Sequence, residues 1–214
     1  MTPAQQSARA AEICALAPVI PVLVIDRTEF AKPLAEALVA GGIPALEVTL
    51  RTPAALDVIR MMAEVDGGVV GAGTLLTAAD VKAAKAAGAR FGVSPGATDR
   101  LIAACEDEGL PLLAGAVTAS EVMALLERGY TVGKFFPAET SGGAAALKAL
   151  GAPLPQMRFC PTGGIGLGNA RHYLRLSNVV CVGGSWIAPK SLMERGDWQG
   201  ITTLAREAAG LPRG

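Results

Sequence analysis

The chain has 214 residues, of which 51% are hydrophobic and 26 are glycines, and this composition excludes an intrinsically disordered protein. Lys and Arg number 19, as do Asp and Glu, so the formal net charge is zero. The chain therefore has no bulk field to attract nucleic acid or an anionic membrane, and neither is expected as a partner. Any anion that it binds has to be held locally.

The first apolar stretch, residues 13–25, predicts a buried strand. Pro18 and Pro21 interrupt this stretch, so it fits neither a signal peptide nor a bilayer-spanning helix. Four widely spaced cysteines without a CxxC pair predict reduced thiols in a cytoplasmic protein. The one histidine, His172, lies in a predicted helix and is expected at the surface or in packing. Neither a metal nor another cofactor is predicted. The cysteines are Cys14, Cys105, Cys160 and Cys181.

Short β-branched apolar runs then alternate with alanine-rich stretches of helical period, which predicts a parallel sheet with crossover helices. Eight such strands favour a closed (β/α)8 TIM barrel, because an open sheet of that size usually needs a longer chain. The predicted strands are 19–25, 45–50, 69–74, 90–95, 111–117, 131–137, 156–162 and 179–185. The predicted helices include 29–42, 53–65, 78–89, 98–109 and 119–129.

Glycines end several predicted helices and introduce the next strand, as expected of left-handed helix caps. No linker, low-complexity segment or charge run divides the chain, so residues 1–214 are predicted to form a single domain. A doubly wound dinucleotide-binding fold is the weaker alternative, because residues 26–30 after the first strand lack GxGxxG and residues 71–77 match it only in part. The capping glycines are Gly41, Gly42, Gly88, Gly109 and Gly129.

The second predicted strand presents polar residues on one face. Glu47, Thr49 and Arg51 are two residues apart and share that face. Barrel active sites form where the strands end, so an acid, a hydroxyl and a guanidinium are expected there. An edge strand with a solvated side is a less favoured explanation, and a structural ion pair made by Arg51 is a serious competitor.

The sixth predicted strand contains Lys134, which shares a face with Val132 and Phe136 while Phe135 faces the other way. An ammonium group inside a barrel is costly to desolvate, so either a carboxylate pairs with it or it becomes a neutral amine. A neutral amine is a nucleophile for carbonyls. A catalytic amine and a structural salt bridge both remain open, and Glu47 favours the amine.

The last two predicted units end in glycine-rich turns at 161–166 and 182–186. Backbone N–H groups freed by such turns bind phosphate, and barrels usually bind phosphate after strands seven and eight. A purely structural role in tight turns would explain the glycines but not Ser185. Amine, acid, guanidinium and phosphate site together suit a phosphorylated keto substrate that is processed through a Schiff base.

Six motifs resemble those of 2-keto-3-deoxy-6-phosphogluconate (KDPG) aldolase, a class I aldolase of the Entner–Doudoroff pathway. The resemblance runs in the same order and spacing from residue 18 onwards, and it implies a trimeric (β/α)8 enzyme that reversibly cleaves KDPG to pyruvate and glyceraldehyde 3-phosphate. Many members of the family also act on 4-hydroxy-2-oxoglutarate. The motifs are LEVTLRT (46–52), GAGT (71–74), SPG (94–96), KFFPAE (134–139), RFCPTGG (158–164) and GGSW (183–186).

The resemblance implies a role for each matching residue. Lys134 corresponds to the Schiff-base lysine and Glu47 to the general acid and base. Arg51 and Thr74 correspond to the residues that hold the pyruvyl carboxylate. The pocket wall corresponds to Pro95, Phe136 and Thr162, and the phosphate site to Gly163, Gly164, Gly184 and Ser185.

Two features depart from the family pattern. Gly133 stands where a bulky apolar residue is expected, and its position should face outward, where it affects barrel packing. The loop after the seventh strand reads GGIGLGN, with glycines where Ser/Thr-Pro is more usual, and the extra glycines are expected to loosen it.

Two alternatives to KDPG cleavage stay open. In the first alternative, the main substrate is either the galactonate epimer of KDPG or 4-hydroxy-2-oxoglutarate. These substrates differ from KDPG in one hydroxyl configuration or in the lack of a phosphate, and the motifs do not distinguish them. In the second, the barrel only binds a phosphate ligand or serves as an oligomeric scaffold. The second is disfavoured, since a site without catalysis has no reason to keep an interior lysine.

Overall fold

Eight parallel strands and ten α-helices alternate in the computed structural model, which describes residues 1–214. All eight predicted strands are present, each somewhat shorter than expected. The strands are β1 Val19–Leu23, β2 Ala45–Thr49, β3 Val69–Gly73, β4 Phe91–Val93, β5 Leu112–Gly115, β6 Val132–Phe135, β7 Arg158–Pro161 and β8 Val182–Gly184. The helices are α1 Pro3–Ala15, α2 Ala31–Ala40, α3 Ala55–Met62, α4 Ala78–Ala86, α5 Asp99–Asp107, α6 Ala119–Arg128, α7 Gly143–Gly151, α8 Ala170–Leu174, α9 Lys190–Glu194 and α10 Trp198–Ala209.

The sheet curls into a barrel. Its strands are hydrogen-bonded in the order β7-β6-β5-β4-β3-β2-β1-β8. Isolated parallel bridges from Phe159 to Val179 and from Thr162 to Gly183 bring β7 beside β8 and nearly close the sheet. The predicted (β/α)8 TIM barrel is confirmed, and the doubly wound alternative is wrong. β2 lies between β1 and β3 with all its residues buried, so it is not an edge strand.

The alternation of side chains along the strands separates the buried residues into two cores. The outer core has 51 residues, lies between the strands and the helices, and includes Leu46, Val48 and Phe135. The inner core has 9 residues and fills the barrel, with Ala45 and Val132 among them. Because side chains alternate with a period of two, Glu47 and Lys134 also point inward.

Helix α1 is the main feature that the sequence prediction missed. Residues 13–15 belong to this helix, so the prediction of a strand over 13–25 is wrong at its start. A capping box between Thr2 and Gln5 begins the helix, with Pro3 at its first position. Gln6 then fastens α1 to the barrel, because its side chain donates to Cys105 O at 2.8 Å and accepts from Leu112 N at 3.0 Å. Helix α1 therefore covers the N-terminal end of the barrel.

The cysteines are free and buried, as expected of reduced thiols. Burial raises the pKa of the Cys105 thiol to about 12. Hydrogen bonding with the Cys14 and Cys160 thiols, together with burial, raises the pKa of Cys181 well above its ordinary value. His172 is exposed on α8, which confirms a surface position. None of the helices has the length and apolar content needed to cross a bilayer.

The glycines that end helices confirm the prediction of left-handed caps at four of five positions. Gly41 is the exception, because its φ of −81° is right-handed. Close packing explains this glycine instead, since a Cβ on Gly41 would overlap Ala205 Cβ of α10 and lie 2.8 Å from Thr202 O. The positive φ angles are 88° at Gly42, 97° at Gly88, 60° at Gly109 and 98° at Gly129.

Replacing Gly41 by alanine should therefore force α2 away from α10. We expect the free energy of unfolding, measured by chemical denaturation, to fall by about 1–3 kcal/mol, as is typical of overpacked sites. Gly168→Ala is the matched control, because a Cβ there would meet no atom within 4 Å. Equal stability of the two variants would contradict this packing account.

Candidate active site

Strands β2 and β6 bring a carboxylate and an ammonium together inside the barrel. Lys134 Nζ donates to Glu47 Oε1 at 3.3 Å, and their side chains are only 7% and 4% exposed. The Lys134 Nζ also lies 5.2 Å from the centre of the Phe136 ring, within range of a cation–π interaction. An opposite charge offsets part of the free-energy cost of burying an ion. Loss of either side chain would therefore leave the other as an unpaired buried charge.

A glycine in β3 makes room for the carboxylate. A Cβ on Gly73 would overlap Glu47 Oε1 and lie 2.8 Å from Glu47 Cγ. In the β2–β3 register, Gly73 pairs with Thr49. Thr49 lies two residues after Glu47, on the same inward face of β2. Gly73 is thus a functional position that the sequence analysis did not single out, although it lies within the GAGT motif at 71–74.

Arg51 and Thr49 behave differently from Glu47. Arg51 is exposed just beyond β2 and forms no ion pair or hydrogen bond within the chain, so the alternative of a structural ion pair is wrong. Thr49 is buried, and its hydroxyl donates to Leu23 O of β1 at 2.9 Å. Of these three residues, only Arg51 has a side chain that is free to bind an anion at the barrel mouth.

Thr74 follows β3 and is the one non-glycine residue with a positive φ, 64°. A left-handed conformation at a β-branched residue costs about 1–3 kcal/mol and is typical of functional sites. The residue immediately before Thr74 is Gly73, which lies against the Glu47 side chain. The strained residue is therefore placed beside the Lys134–Glu47 pair, at the end of the strand that borders β2.

The three residues expected to form the pocket wall lie at the carboxyl ends of different strands. Pro95 is exposed after β4, Phe136 is half-buried after β6, and Thr162 is buried after β7. Thr162 packs tightly against β8, because a Cβ on Gly183 would overlap its side chain. The wall residues thus surround the same end of the barrel at which Lys134 lies.

The loops after β7 and β8 lie side by side, joined by the bridge from Thr162 to Gly183. Gly163 and Gly164 have φ angles of 105° and 75°, which favour glycine. No hydrogen bond within the chain uses the N–H groups of Gly163, Gly164 or Ser185 as donors. Gly184 allows the second loop to fold back, because a Cβ there would overlap the Trp186 ring. Free N–H groups on adjacent loops suit an anion.

The two departures from the family pattern have structural compensation. Gly133 faces the outer core as predicted, where a Cβ would lie 2.5 Å from Met157 Cε and 3.7 Å from Leu125 Cδ1. The Met157 side chain thus fills the space. Asn169 fastens the glycine-rich loop by accepting from Gly166 N at 2.8 Å and donating to Gly164 O at 3.1 Å. The loop therefore has internal hydrogen bonds despite its glycines.

Comparison with known proteins places this constellation in a family. The family model described as KDPG and KHG aldolase matches residues 10–204, most of the chain. The chain belongs to the KDPG and KHG aldolase family. A 2-dehydro-3-deoxy-phosphogluconate aldolase from Pseudoalteromonas atlantica is 53% identical over 192 residues, which are 89% of this chain and 89% of that protein. The resemblance inferred from the motifs is confirmed.

Two solved structures from the aldolase family share the fold. The KDPG aldolase of Zymomonas mobilis with 3-phosphoglycerate has a TM-score of 0.90 and 49% identity, covering 95% of this chain and 96% of the other. The KDPG aldolase of Legionella pneumophila, with pyruvate captured as a covalent carbinolamine, has a TM-score of 0.90 and 46% identity, covering 94% and 98%. A carbinolamine is the product of an amine and a ketone, which is the chemistry of a class I aldolase.

Replacing Gly73 by alanine should displace the Glu47 carboxylate from Lys134. We expect aldol cleavage to slow about 10²-fold, since misplacement of a catalytic group by about 1 Å has an effect of that size. Steady-state turnover together with thermal denaturation measures the effect. Gly210→Ala, at the end of α10, should keep full activity because a Cβ there makes only ordinary contacts, the nearest at 3.5 Å, and a Gly73→Ala enzyme of normal activity would contradict the role given to Gly73.

Proposed function

We propose that the protein is a class I aldolase that reversibly cleaves KDPG to pyruvate and D-glyceraldehyde 3-phosphate. The buried Lys134 Nζ, 3.3 Å from Glu47 Oε1, is the observation that carries the proposal. An amine becomes a nucleophile for a ketone once a neighbouring carboxylate has taken its proton. Membership of the KDPG and KHG aldolase family supports the same chemistry.

The first half of the reaction forms the Schiff base. Neutral Lys134 attacks the C2 ketone of the substrate and gives a carbinolamine. Glu47 relays the protons that allow water to leave, which yields an iminium ion. The iminium serves as the electron sink, so the role that a cation has in class II aldolases is filled by the protein's own amine.

The second half breaks the carbon–carbon bond. Glu47, directly or through a water, removes the proton from the C4 hydroxyl. The C3–C4 bond then breaks, its electrons move toward the iminium, and the aldehyde leaves. A pyruvyl enamine stays on Lys134. Protonation of the enamine at C3 and hydrolysis of the imine release pyruvate and restore the amine.

Groups around the barrel mouth orient the substrate in this proposal. The Arg51 guanidinium binds the carboxylate with two parallel hydrogen bonds, and Thr74 assists it. Pro95, Phe136 and Thr162 form the wall that excludes water from the iminium. The opposite end of the substrate carries the phosphate, which the loops after β7 and β8 bind through Gly163, Gly164, Gly184 and Ser185.

The free N–H groups of Gly163, Gly164 and Ser185 favour a phosphorylated substrate over 4-hydroxy-2-oxoglutarate. The galactonate epimer differs from KDPG in the configuration of one hydroxyl. The loops bind the phosphate in this proposal and therefore do not distinguish the two epimers. Relatives named 2-dehydro-3-deoxy-phosphogluconate aldolase are 53% and 48% identical to this chain, whereas the native KDPGal structure is 26% identical, so we propose KDPG as the main substrate and the other two as slower ones. Turnover of the three substrates by the same preparation ranks them directly, and preference for the unphosphorylated one would contradict a working phosphate site.

We also infer that residues 1–214 fold as a single domain and that three copies associate in the cytoplasm. The outer core contains residues from every strand except β4, and β4 contributes Phe91 and Val93 to the inner core, which supports the single domain. Buried reduced thiols support the cytoplasm. Large apolar side chains on the surface are available for contacts between copies. The exposed ones include Leu16, Val24, Leu76, Met123 and Leu167.

Removing either member of the central pair should have a distinct effect on cleavage. Lys134→Ala should abolish activity in a folded protein, because no other amine reaches the substrate ketone. Glu47→Gln should slow turnover about 10²–10⁴-fold, since it removes the general acid and base and leaves the amine. A coupled assay that detects pyruvate measures both, and a chelator should leave the wild-type rate unchanged.

Lys82→Ala is the matched control for the lysine variant. Lys82 is exposed on α4 and takes part in no ion pair, so its loss should leave turnover unchanged. Circular dichroism confirms that each variant is folded. Cleavage at the normal rate by Lys134→Ala would rule out the Schiff-base mechanism.

A further inference from the structure

A buried tyrosine reaches from α8 to the loop after β6. The hydroxyl of Tyr173 donates to Glu139 Oε1, and Tyr173 is only 1% exposed. Burial and the Glu139 carboxylate both raise the pKa of Tyr173, so the phenol stays protonated and remains a donor. Neither residue takes part in the catalytic steps described above.

The backbone of the same loop holds the loop after β7. Ala138 N donates to Thr162 O at 2.8 Å, and Glu139 N donates to Gly163 O at 3.1 Å. These bonds continue the pairing of β6 with β7 beyond the ends of both strands. The position of residues 138–139 therefore sets the position of residues 162–163.

The side chain of Glu139 lies directly against Gly164. A Cβ on Gly164 would be 2.7 Å from Glu139 Cγ and 2.8 Å from Glu139 Cβ. Gly164 has a φ of 75°, and the loop that follows contains two further glycines, Gly166 and Gly168. A segment so rich in glycine has many accessible conformations, and contact with a fixed side chain restricts them.

We infer that Glu139 and Tyr173 are positioning residues that give the enzyme its preference for phosphorylated substrates. Tyr173 fixes the Glu139 carboxylate, and Glu139 fixes Gly163 and Gly164 so that their free N–H groups converge on the phosphate. The inference rests on the proposed function. Because the pair acts on the phosphate end alone, its loss should weaken phosphate binding and leave the chemistry at Lys134 intact.

Tyr173→Phe tests the inference, because it keeps the ring in the core and removes only the hydroxyl. We expect the KM for KDPG to rise about tenfold, the effect of losing one hydrogen bond to a charged group, with kcat within about twofold of wild type. Both constants for 4-hydroxy-2-oxoglutarate should stay unchanged. Glu139→Ala should act in the same way, and Glu139→Gln should restore most of the affinity, since its amide oxygen still accepts the bond.

Tyr130→Phe is the matched control. Tyr130 is also fully buried, and its hydroxyl donates to a glutamate, Glu106, at 3.2 Å, on an element away from the phosphate loops. This variant should leave the ratio of the two KM values unchanged. An unchanged ratio in Tyr173→Phe, or an equal loss for both substrates, would overturn the inference and indicate a purely structural role.

Binding of glycerol 3-phosphate, measured by calorimetry, separates this inference from the proposed function. Wild type should bind the compound, and Tyr173→Phe should bind it about tenfold more weakly, whether or not the protein cleaves KDPG. Wild type that binds glycerol 3-phosphate without cleaving KDPG would contradict the proposed function alone. Equal affinity of wild type and Tyr173→Phe would overturn the inference alone, whereas no binding by wild type would overturn the inference and also contradict the proposed phosphate site.

Discussion

Lys134 and Glu47 form a charged pair that water scarcely reaches, and most features of the barrel follow from the need to keep that pair together. The two residues are 87 positions apart in the sequence, so only the curvature of the sheet brings Nζ within 3.3 Å of Oε1. Either charge alone in the inner core would be destabilising. By contrast, Lys190 pairs with Asp26 at the surface, where its side chain is 66% exposed and water solvates both partners.

The two ends of the barrel have different tasks. Helix α1 covers the N-terminal end, where Gln6 is hydrogen-bonded to Leu112, the first residue of β5, and Ser7 to Thr131, which precedes β6. The carboxyl end has the strained residue Thr74, the uncovered N–H groups and the exposed guanidinium of Arg51. Packing at one end thus stabilises a framework that tolerates strain and unpaired polar groups at the other.

Sequence periodicity predicted the strands, the barrel and the inward direction of Glu47 and Lys134, because alternation along a strand depends on local geometry alone. Three of the missed features depend on distant contacts. Gly41 resembles a helix cap until Ala205 of α10 packs against it, and Gly73 is an ordinary strand glycine until Glu47 lies beside it. The contact between Glu139 and Tyr173 spans 34 positions and has no periodic pattern. Helix α1 was missed although its capping box was visible, because the apolar run that follows dominated the interpretation.

The central claim is that Lys134 forms a covalent imine with the keto substrate. Reduction with borohydride in the presence of pyruvate, followed by peptide mass spectrometry, tests it most directly. Our account predicts a reduced pyruvyl adduct on Lys134 alone, with loss of activity in proportion to labelling. No adduct, or adducts spread over exposed lysines such as Lys82 and Lys190, would contradict the account and favour a barrel that only binds a phosphate ligand.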